Sequence, residues 1–136
     1  MFQDLRAEGL PLYQHVAWHV ACLASQTIDD SGYGAIGAVV GATYPDELAE
    51  LRQTMKNAWI LVPGFGSQGG SAHDVRPAFD ETGLGAIINS SRAIIFAYQR
   101  PEFRDRFGPQ QWQTSVEAAA NAMIDELRSE TAVGEL

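Results

Sequence analysis

The stretch Trp59-Ile60-Leu61-Val62-Pro63-Gly64-Phe65-Gly66-Ser67-Gln68-Gly69-Gly70 joins a short apolar run to a glycine-rich loop. The apolar run 59–62 is typical of a strand in a parallel sheet that is covered on both faces. Pro63 and Gly64 end the run, because both residues favour turns over continued strand pairing. Four glycines within residues 64–70 let backbone N–H groups approach a ligand closely, an arrangement that favours an anion. The stretch therefore predicts a buried strand that leads into an anion-binding loop.

Two further apolar runs, at residues 36–42 and 86–89, flank this strand along the chain. Both have the length and composition of strands, and each is expected to be buried on both faces. Between the run at residues 36–42 and the run at 59–62, apolar residues recur at helical spacing and predict a helix with one buried face. They are Leu48, Leu51 and Met55. The chain thus alternates between strand and helix patterns.

Helical periodicity also covers residues 11–25 and about 109–128, and Ser71 is placed to cap a helix after the glycine-rich loop. In the last helix, Trp112, Val116, Ala120, Met123 and Leu127 are expected on the buried face. The order αβαβαβα predicts parallel β/α units in one domain, residues 1–136. Because 136 residues are about half of a typical ~250-residue eightfold barrel, three units of a partial barrel are expected.

Charge and composition exclude several classes of partner. The net charge of −8 repels phosphodiester backbones, and the nine Lys and Arg residues form no run, so no nucleic acid is expected to bind. No segment reaches the roughly 18 apolar residues of a membrane span, and residues 1–6 lack the pattern of a signal peptide. A cytoplasmic chain without membrane contact is therefore expected. His15 and His19 lie four residues apart on a predicted helix but have no third ligand, so no metal is expected.

The predicted anion site lies where two neighbouring strands end. In β/α barrels the active site lies at the carboxyl ends of the strands, and phosphate is frequently bound by the loops after the last two strands. The loop 63–70 and the segment 89–92 occupy these places. Gln68 could add an amide donor, and Arg92 could make a charge-assisted contact with the same phosphate. The alternative is a flexible glycine-rich turn beside a solvated arginine.

Three motifs carry a family resemblance. They are Val39-Val40-Gly41-Ala42-Thr43-Tyr44-Pro45-Asp46-Glu47-Leu48, then Ile60-Leu61-Val62-Pro63-Gly64-Phe65-Gly66-Ser67-Gln68-Gly69-Gly70, and then Ile87-Ile88-Asn89-Ser90-Ser91-Arg92-Ala93-Ile94-Ile95. In this order they resemble the carboxy-terminal part of orotidine 5′-phosphate decarboxylase, in a subgroup common in actinobacteria and related bacteria. Residues 2–5 and 11–13 also resemble the segment that follows the fifth strand of that family. The resemblance covers nearly the whole chain and implies the last three units of a (β/α)8 TIM barrel.

The resemblance implies a role for particular residues. Gln68 and Arg92 would grip the 5′-phosphate of the nucleotide, assisted by backbone amides of the loop and of the segment around Ser91. The loop glycines concerned are Gly66, Gly69 and Gly70, and Pro63 and Phe65 would flank the nucleotide. The family converts orotidine 5′-phosphate to uridine 5′-phosphate and CO2 in pyrimidine biosynthesis, without metal or organic cofactor. Its chemistry uses a Lys-Asp-Lys-Asp network on the early strands.

The chain departs from the family in its catalytic residues. Its one lysine is Lys56, in the predicted second helix, and no Asp-x-Lys-x-x-Asp arrangement is present. The chain alone is therefore expected to bind nucleotide phosphate without turnover, with no catalytic residue of its own. The alternative is a non-catalytic phosphate-binding or oligomerising module of another phosphate-binding barrel. Open strand edges and an uncovered barrel face also predict a homo-oligomer, or pairing with the missing amino-terminal units.

Overall fold

Strands and helices alternate in the predicted order, with short additional elements. The computed structural model describes residues 4–66 and 70–135. A hairpin of β1 (Arg6–Ala7) and β2 (Leu10–Pro11) is followed by α1 (Leu12–Ser25), β3 (Gly37–Val39), α2 (Pro45–Thr54), β4 (Trp59–Pro63), α3 (Ala72–Val75), β5 (Ala86–Asn89), α4 (Ser91–Ile95), α5 (Pro101–Phe107) and α6 (Trp112–Glu130). Short 3-10 helices lie at Arg76–Ala78, Ala97–Gln99 and Ala132–Glu135. None of the described helices combines the length and hydropathy that a membrane crossing requires.

The parallel sheet has the strand order β3-β4-β5, with β4 in the centre. Ile60 and Val62 of β4 are fully buried and belong to one core cluster with Leu48 of α2 and Val75 of α3. Successive side chains of a strand point to opposite faces, so these two residues mark the face that the helices cover. The arrangement is the α/β architecture of a partial barrel, as the sequence predicts.

The other face of the sheet is open. The pairing register places Val39 of β3 beside Leu61 of β4, and Leu61 beside Ile87 of β5, in one apolar row. Val39 is 67% exposed and Ile87 is 56% exposed. The expectation that the flanking strands are buried on both faces is wrong, because three strands do not close into a barrel and the helices cover one face. The predicted exposure of the inner barrel face is confirmed. We call the row Val39, Leu61 and Ile87 the open sheet face.

The segment between β5 and α6 is more helical than the sequence pattern indicates. The prediction has no helix there, whereas α4, a 3-10 turn and α5 occupy residues 91–107. In α6 the fully buried position is Ser115, with Ala119 one turn later, whereas Trp112 is 50% exposed. Trp112 is the first residue of α6, so its ring lies at the end of the helix and the expectation of a buried Trp112 is wrong. The small side chains at 115 and 119 are the buried positions of α6.

A buried arginine at the amino ends of the strands was not predicted. Arg52, on the last turn of α2, is 5% exposed, and its guanidinium donates hydrogen bonds to four backbone carbonyls. The acceptors are Ala78 O (3.4 Å), Gly85 O (3.0 Å), Ala58 O (2.8 Å) and Met55 O. Arg52 thereby joins α2, the start of β4 and the turn before β5. In barrels this end of the strands contributes stability more than chemistry.

Tyr33 and Asp80 extend this cluster. The Tyr33 ring packs on Trp59 and under the Arg52 guanidinium, and its hydroxyl donates to Asp80 Oδ2 at 2.5 Å. Burial raises the pKa of Tyr33 to about 12, with a further contribution from the hydrogen bond to Asp80. Partial burial alone would raise the pKa of Asp80, but hydrogen bonds from Tyr33, Thr82 and the Leu84 N–H together lower it to about 2. The pair therefore favours a neutral tyrosine and a charged carboxylate.

Because of the Tyr33–Asp80 pair, we expect the free energy of unfolding to decrease at both low and high pH. Because the folded pKa of Asp80 lies below its unfolded value, its contribution is present above about pH 4 and is lost as the pH falls towards 2. Because the folded pKa of Tyr33 lies above its unfolded value, its contribution is present below about pH 10 and is lost as the pH rises towards 12. We expect the difference in unfolding free energy between wild type and Tyr33→Phe, measured by urea unfolding, to shrink above pH 10. A constant difference between pH 7 and 12 would contradict this assignment.

Candidate functional site

The candidate site is formed by two segments at the carboxyl ends of neighbouring strands. The loop 64–70 follows β4, and α4 begins immediately after β5. Because β4 and β5 are paired in parallel up to Pro63 and Asn89, the two segments leave the sheet side by side. The sequence predicts this convergence. Ser67, Gln68 and Gly69, at the tip of the loop, lie outside the described residues.

The base of the loop is closed by backbone pairing. Phe65 and Gly70 form an isolated parallel bridge, and the Gly66 N–H donates to Gly70 O at 2.7 Å. These contacts bring the two described ends of the loop, at Gly66 and Gly70, together. The predicted phosphate-binding glycines Gly66 and Gly70 are therefore both part of this base.

Two of the loop positions require glycine for steric reasons. Gly66 has φ +75°, and a Cβ added there would lie 3.1 Å from the Ala93 Cβ. A Cβ at Gly70 would lie 3.0 Å from Gly64 O and 3.2 Å from the Ala42 Cβ. Both positions thus combine close approach of neighbouring atoms with a backbone that a larger residue would displace. The glycine-rich composition of the loop has a structural cause as well as the predicted role in anion binding.

Ser90, which the sequence prediction missed, links the loop to the start of α4. Its Oγ donates to Phe65 O at 2.8 Å, and the residue is 8% exposed. The sequence signal was available, because a serine directly after a strand and two residues before a candidate arginine is well placed to bond a neighbouring loop. The prediction named Ser91 instead. The Ser91 Oγ bonds Asn89 Oδ1 at 2.9 Å and is exposed, so only its backbone remains a candidate for ligand binding.

Arg92 lies on the first turn of α4 and is exposed. Within residues 4–66 and 70–135, no hydrogen-bond acceptor or carboxylate engages its guanidinium at contact distance. Its neighbour Ala93 is buried and lies against Gly66 at the loop base. Arg92 therefore lies next to the base of the loop, and its role as a phosphate ligand stays a prediction. Gln68, the other predicted phosphate ligand, lies outside the described residues.

The residues that follow the loop are also held by hydrogen bonds. The Asp74 carboxylate accepts hydrogen bonds from the Ser71 N–H (2.8 Å) and the Ser71 Oγ (2.7 Å), and these bonds lower the pKa of Asp74. Glu126 Oε1, from α6, accepts from the Ala72 N–H at 3.1 Å. Ser71 precedes α3, as the sequence predicts, although α3 ends at Val75 and continues as a 3-10 turn. The loop is consequently attached to the body at both its entry and its exit.

Pro63 and Phe65, predicted to flank the nucleotide, have different surroundings. Pro63 is the half-buried last residue of β4. Phe65 is 4% exposed, and its side chain belongs to the hydrophobic core cluster. The ring also lines a cavity of about 120 Å³ behind the loop, together with Met123 and Glu126 of α6. The Phe65 ring thus packs in the core beneath the loop, and its predicted place beside the nucleotide stays untested.

A larger cavity, of about 500 Å³, lies away from the loop. It is mostly apolar and is bordered by α1, α2 and the free edge of β3, with Val16, Val20 and Val39 among its lining residues. It contains no convergent set of polar donors, so its chemistry does not match the predicted anion site. Its position beside an unpaired strand edge matches the place where a further strand would extend the sheet.

The one lysine and the histidine pair named in the sequence analysis lie outside this site. Lys56 lies in the turn between α2 and β4, just beyond the predicted helix, at the end of the sheet opposite to the loop. Among the described residues, no three metal-ligating side chains form a group that could hold an ion. The ring of His15 instead bonds Ala7 O at 2.8 Å.

Comparison with curated proteins identifies relatives of one kind. The chain is 51% identical over 126 residues to orotidine 5′-phosphate decarboxylase from Rhodopirellula baltica. The match covers 93% of this chain and 42% of the relative, so the chain spans less than half the length of that relative. No protein-family model matches the chain. These relatives give no support to the alternative of another phosphate-binding barrel.

Solved structures show the same relationship. The Leishmania donovani UMP synthase matches with a TM-score of 0.56 and 29% identity, over 88% of this chain and 24% of that chain. The Plasmodium berghei orotidine 5′-monophosphate decarboxylase matches with a TM-score of 0.62 over 94% of this chain and 35% of that chain. Its identity is 23%, so this second match supports the fold alone. The partial barrel predicted from the sequence is confirmed by these neighbours.

Proposed function

We propose that this chain is the carboxy-terminal, phosphate-binding part of an orotidine 5′-phosphate decarboxylase of the bacterial subgroup, folded as one domain in the cytoplasm. The observation that carries the proposal is the joining of the loop after β4 to the start of α4, with the exposed Arg92 guanidinium beside the loop. Two strand ends thereby present donors to one place, as a phosphate site in a barrel requires. The name of the relatives, orotidine 5′-phosphate decarboxylase, indicates that the phosphate belongs to a nucleotide such as orotidine 5′-phosphate.

The proposed ligands divide into side chains and backbone groups. Arg92 makes a charge-assisted contact with the 5′-phosphate, and Gln68 adds an amide donor from the loop tip. Backbone N–H groups of the loop and of Ser91 complete the shell. Pro63 flanks the nucleotide, whereas Phe65 acts through its backbone because its ring is buried. The loop backbone groups belong to Gly66, Gly69 and Gly70.

The chain alone is proposed to bind without catalysing decarboxylation. Its single lysine lies at the wrong end of the sheet, and no Asp-x-Lys-x-x-Asp arrangement exists in the sequence. Decarboxylation of orotidine 5′-phosphate to uridine 5′-phosphate and CO2 needs charged groups that act on the carboxylate and protonate the carbanion. These groups would belong to the part of the relatives that this chain does not span.

Titration of the chain with uridine 5′-phosphate, with uridine as the matched ligand that lacks phosphate, tests this proposal. We expect measurable binding of the nucleotide and much weaker binding of the nucleoside, because the phosphate supplies the contacts named above. A parallel assay with orotidine 5′-phosphate should show no release of CO2 above background. Equal affinity for both ligands would refute the phosphate site, and turnover would refute the absence of catalytic groups.

We also propose that the open sheet face is an association surface, either for a second copy of the chain or for the barrel units of the relatives that this chain does not span. The row of Val39, Leu61 and Ile87 is a continuous apolar strip, and β3 and β5 both have free edges. Apolar surface and unpaired strand edges are both unfavourable in water, so covering them together stabilises the chain. The cavity of about 500 Å³ beside the edge of β3 offers room for a further strand.

Light scattering tests the association. We expect the wild-type chain to have a mass above that of the 14.8 kDa monomer and Val39→Lys to shift it towards the monomer, because a charge on the row opposes burial. The matched control is Ile124→Lys on α6, where an exposed isoleucine of the helical side carries the same change. A monodisperse wild-type monomer at high concentration would contradict self-association.

A further inference from the structure

The hydroxyl of Ser90 connects the two segments to which phosphate binding is assigned. Ser90 is the last residue before α4, and its Oγ donates to Phe65 O at 2.8 Å across the gap between the two strand ends. The residue is 8% exposed, so water does not readily replace this bond. A buried carbonyl that loses its donor is destabilised by the full cost of its desolvation. The bond therefore fixes the distance between the loop base and the start of α4.

A second contact, on the C-terminal side of Arg92, also fixes the distance between the loop base and the start of α4. The Ala93 Cβ lies against Gly66, so that a Cβ added to the glycine would be 3.1 Å from it, a tight contact. Ser90 and Ala93, two residues before and one residue after Arg92, are thus both seated on the base of the loop. Arg92 itself has an exposed side chain, so its backbone is placed by these two neighbours and its guanidinium is left to a ligand.

We propose that Ser90 is a positioning residue that holds the base of the loop, at Phe65 and Gly66, in register with Arg92, so that the backbone of the base and the arginine can contact one phosphate. The inference rests on the proposed function, because it assigns Ser90 no contact with the ligand itself. A bidentate contact between a guanidinium and a phosphate depends strongly on orientation, and a shift of about 1 Å in a supporting element weakens such contacts markedly. Loss of the Ser90 hydroxyl permits that shift.

The substitution Ser90→Ala tests the proposal by its effect on phosphate-dependent affinity. We expect the affinity for uridine 5′-phosphate to fall by roughly threefold to tenfold, the range for one lost hydrogen bond, with no change for uridine. Ser115→Ala is the matched control. The Ser115 Oγ is also buried and donates to a backbone carbonyl, Gln111 O, at 3.1 Å, but it lies on α6 away from the loop. This control should lose no affinity.

A double-mutant cycle with Arg92→Ala separates positioning from a general loss of stability. If Ser90 acts by aligning the loop with Arg92, its removal costs less affinity once Arg92 is absent. The proposal is overturned if Ser90→Ala binds the nucleotide like wild type, if it loses no more affinity than Ser115→Ala, or if its effect is undiminished without Arg92. Failure of the proposed function has a different signature, since wild type itself would then bind nucleotide and nucleoside equally.

Discussion

Replacing Arg52 with methionine is expected to lower the free energy of unfolding by about 3–5 kcal/mol, because buried acceptors that lose their donor each cost roughly 1–3 kcal/mol. Four carbonyls lose a charged donor together. Met55 O and Gly85 O each keep one backbone donor, whereas no other donor is recorded for Ala58 O and Ala78 O within the described residues. Methionine fills much of the space of the arginine stem and gives some apolar burial in return. Urea unfolding followed by circular dichroism measures the difference.

Two further variants make this result specific. Arg52→Lys keeps a positive charge but lacks the planar fork, so it should recover only part of the loss. Arg104→Met replaces an exposed arginine, paired with its neighbour Asp105, and should change stability by no more than about 0.5 kcal/mol. If Arg52→Met and Arg104→Met were equally stable, Arg52 would not be the link that the geometry indicates.

Replacing Arg92 with alanine is expected to weaken binding of uridine 5′-phosphate by about 1.5–3 kcal/mol, the range for a charge-assisted hydrogen bond. This corresponds to roughly a tenfold to hundredfold increase in Kd. Because the guanidinium is exposed and contacts no acceptor within the described part of the chain, its removal should leave the free energy of unfolding nearly unchanged. Isothermal titration calorimetry and urea unfolding on the same samples give both quantities.

The control for Arg92→Ala replaces another exposed arginine and changes the net charge by the same amount. Arg128→Ala, on the last turn of α6, removes one positive charge far along the chain from the loop. It tests whether the loss of affinity comes from the site or from the overall field of an acidic chain. Equal losses from Arg92→Ala and Arg128→Ala would remove Arg92 from the proposed site.

Local patterns in the sequence predicted the order of the main elements well. The apolar runs at 59–62 and 86–89 became the parallel strands β4 and β5, and the stripe of Leu48, Leu51 and Met55 is buried as expected. Such patterns report directly which side chains must leave water. They could not report that one face of the sheet stays open, because an apolar run has the same composition whether or not the strands close into a barrel.

Long-range polar contacts were not predictable in the same way. Arg52 lies on a predicted helix among charged residues, and nothing in its neighbourhood indicates that four carbonyls from distant segments surround it. Ser90 was likewise passed over in favour of Ser91, because a one-residue difference decides which serine faces the neighbouring loop. Phe65 was placed near the nucleotide, whereas alternation after β4 turns its ring into the core. Local patterns in the sequence could not show which side of the sheet or loop each of these side chains faces.

The most direct test of the phosphate half-site is to map amide chemical shifts of the chain on addition of uridine 5′-phosphate, with uridine as the reference. If the phosphate binds at these two strand ends, we expect the phosphate-dependent shifts to be concentrated at the base of the loop, Gly66 and Gly70, and at the start of α4, Ser91 and Arg92. The amide chemical shifts of the residues around Arg52, at the opposite end of the sheet, should not change. Shifts confined to the apolar cavity between α1 and β3, or identical shifts with uridine, would contradict a phosphate site at these strand ends.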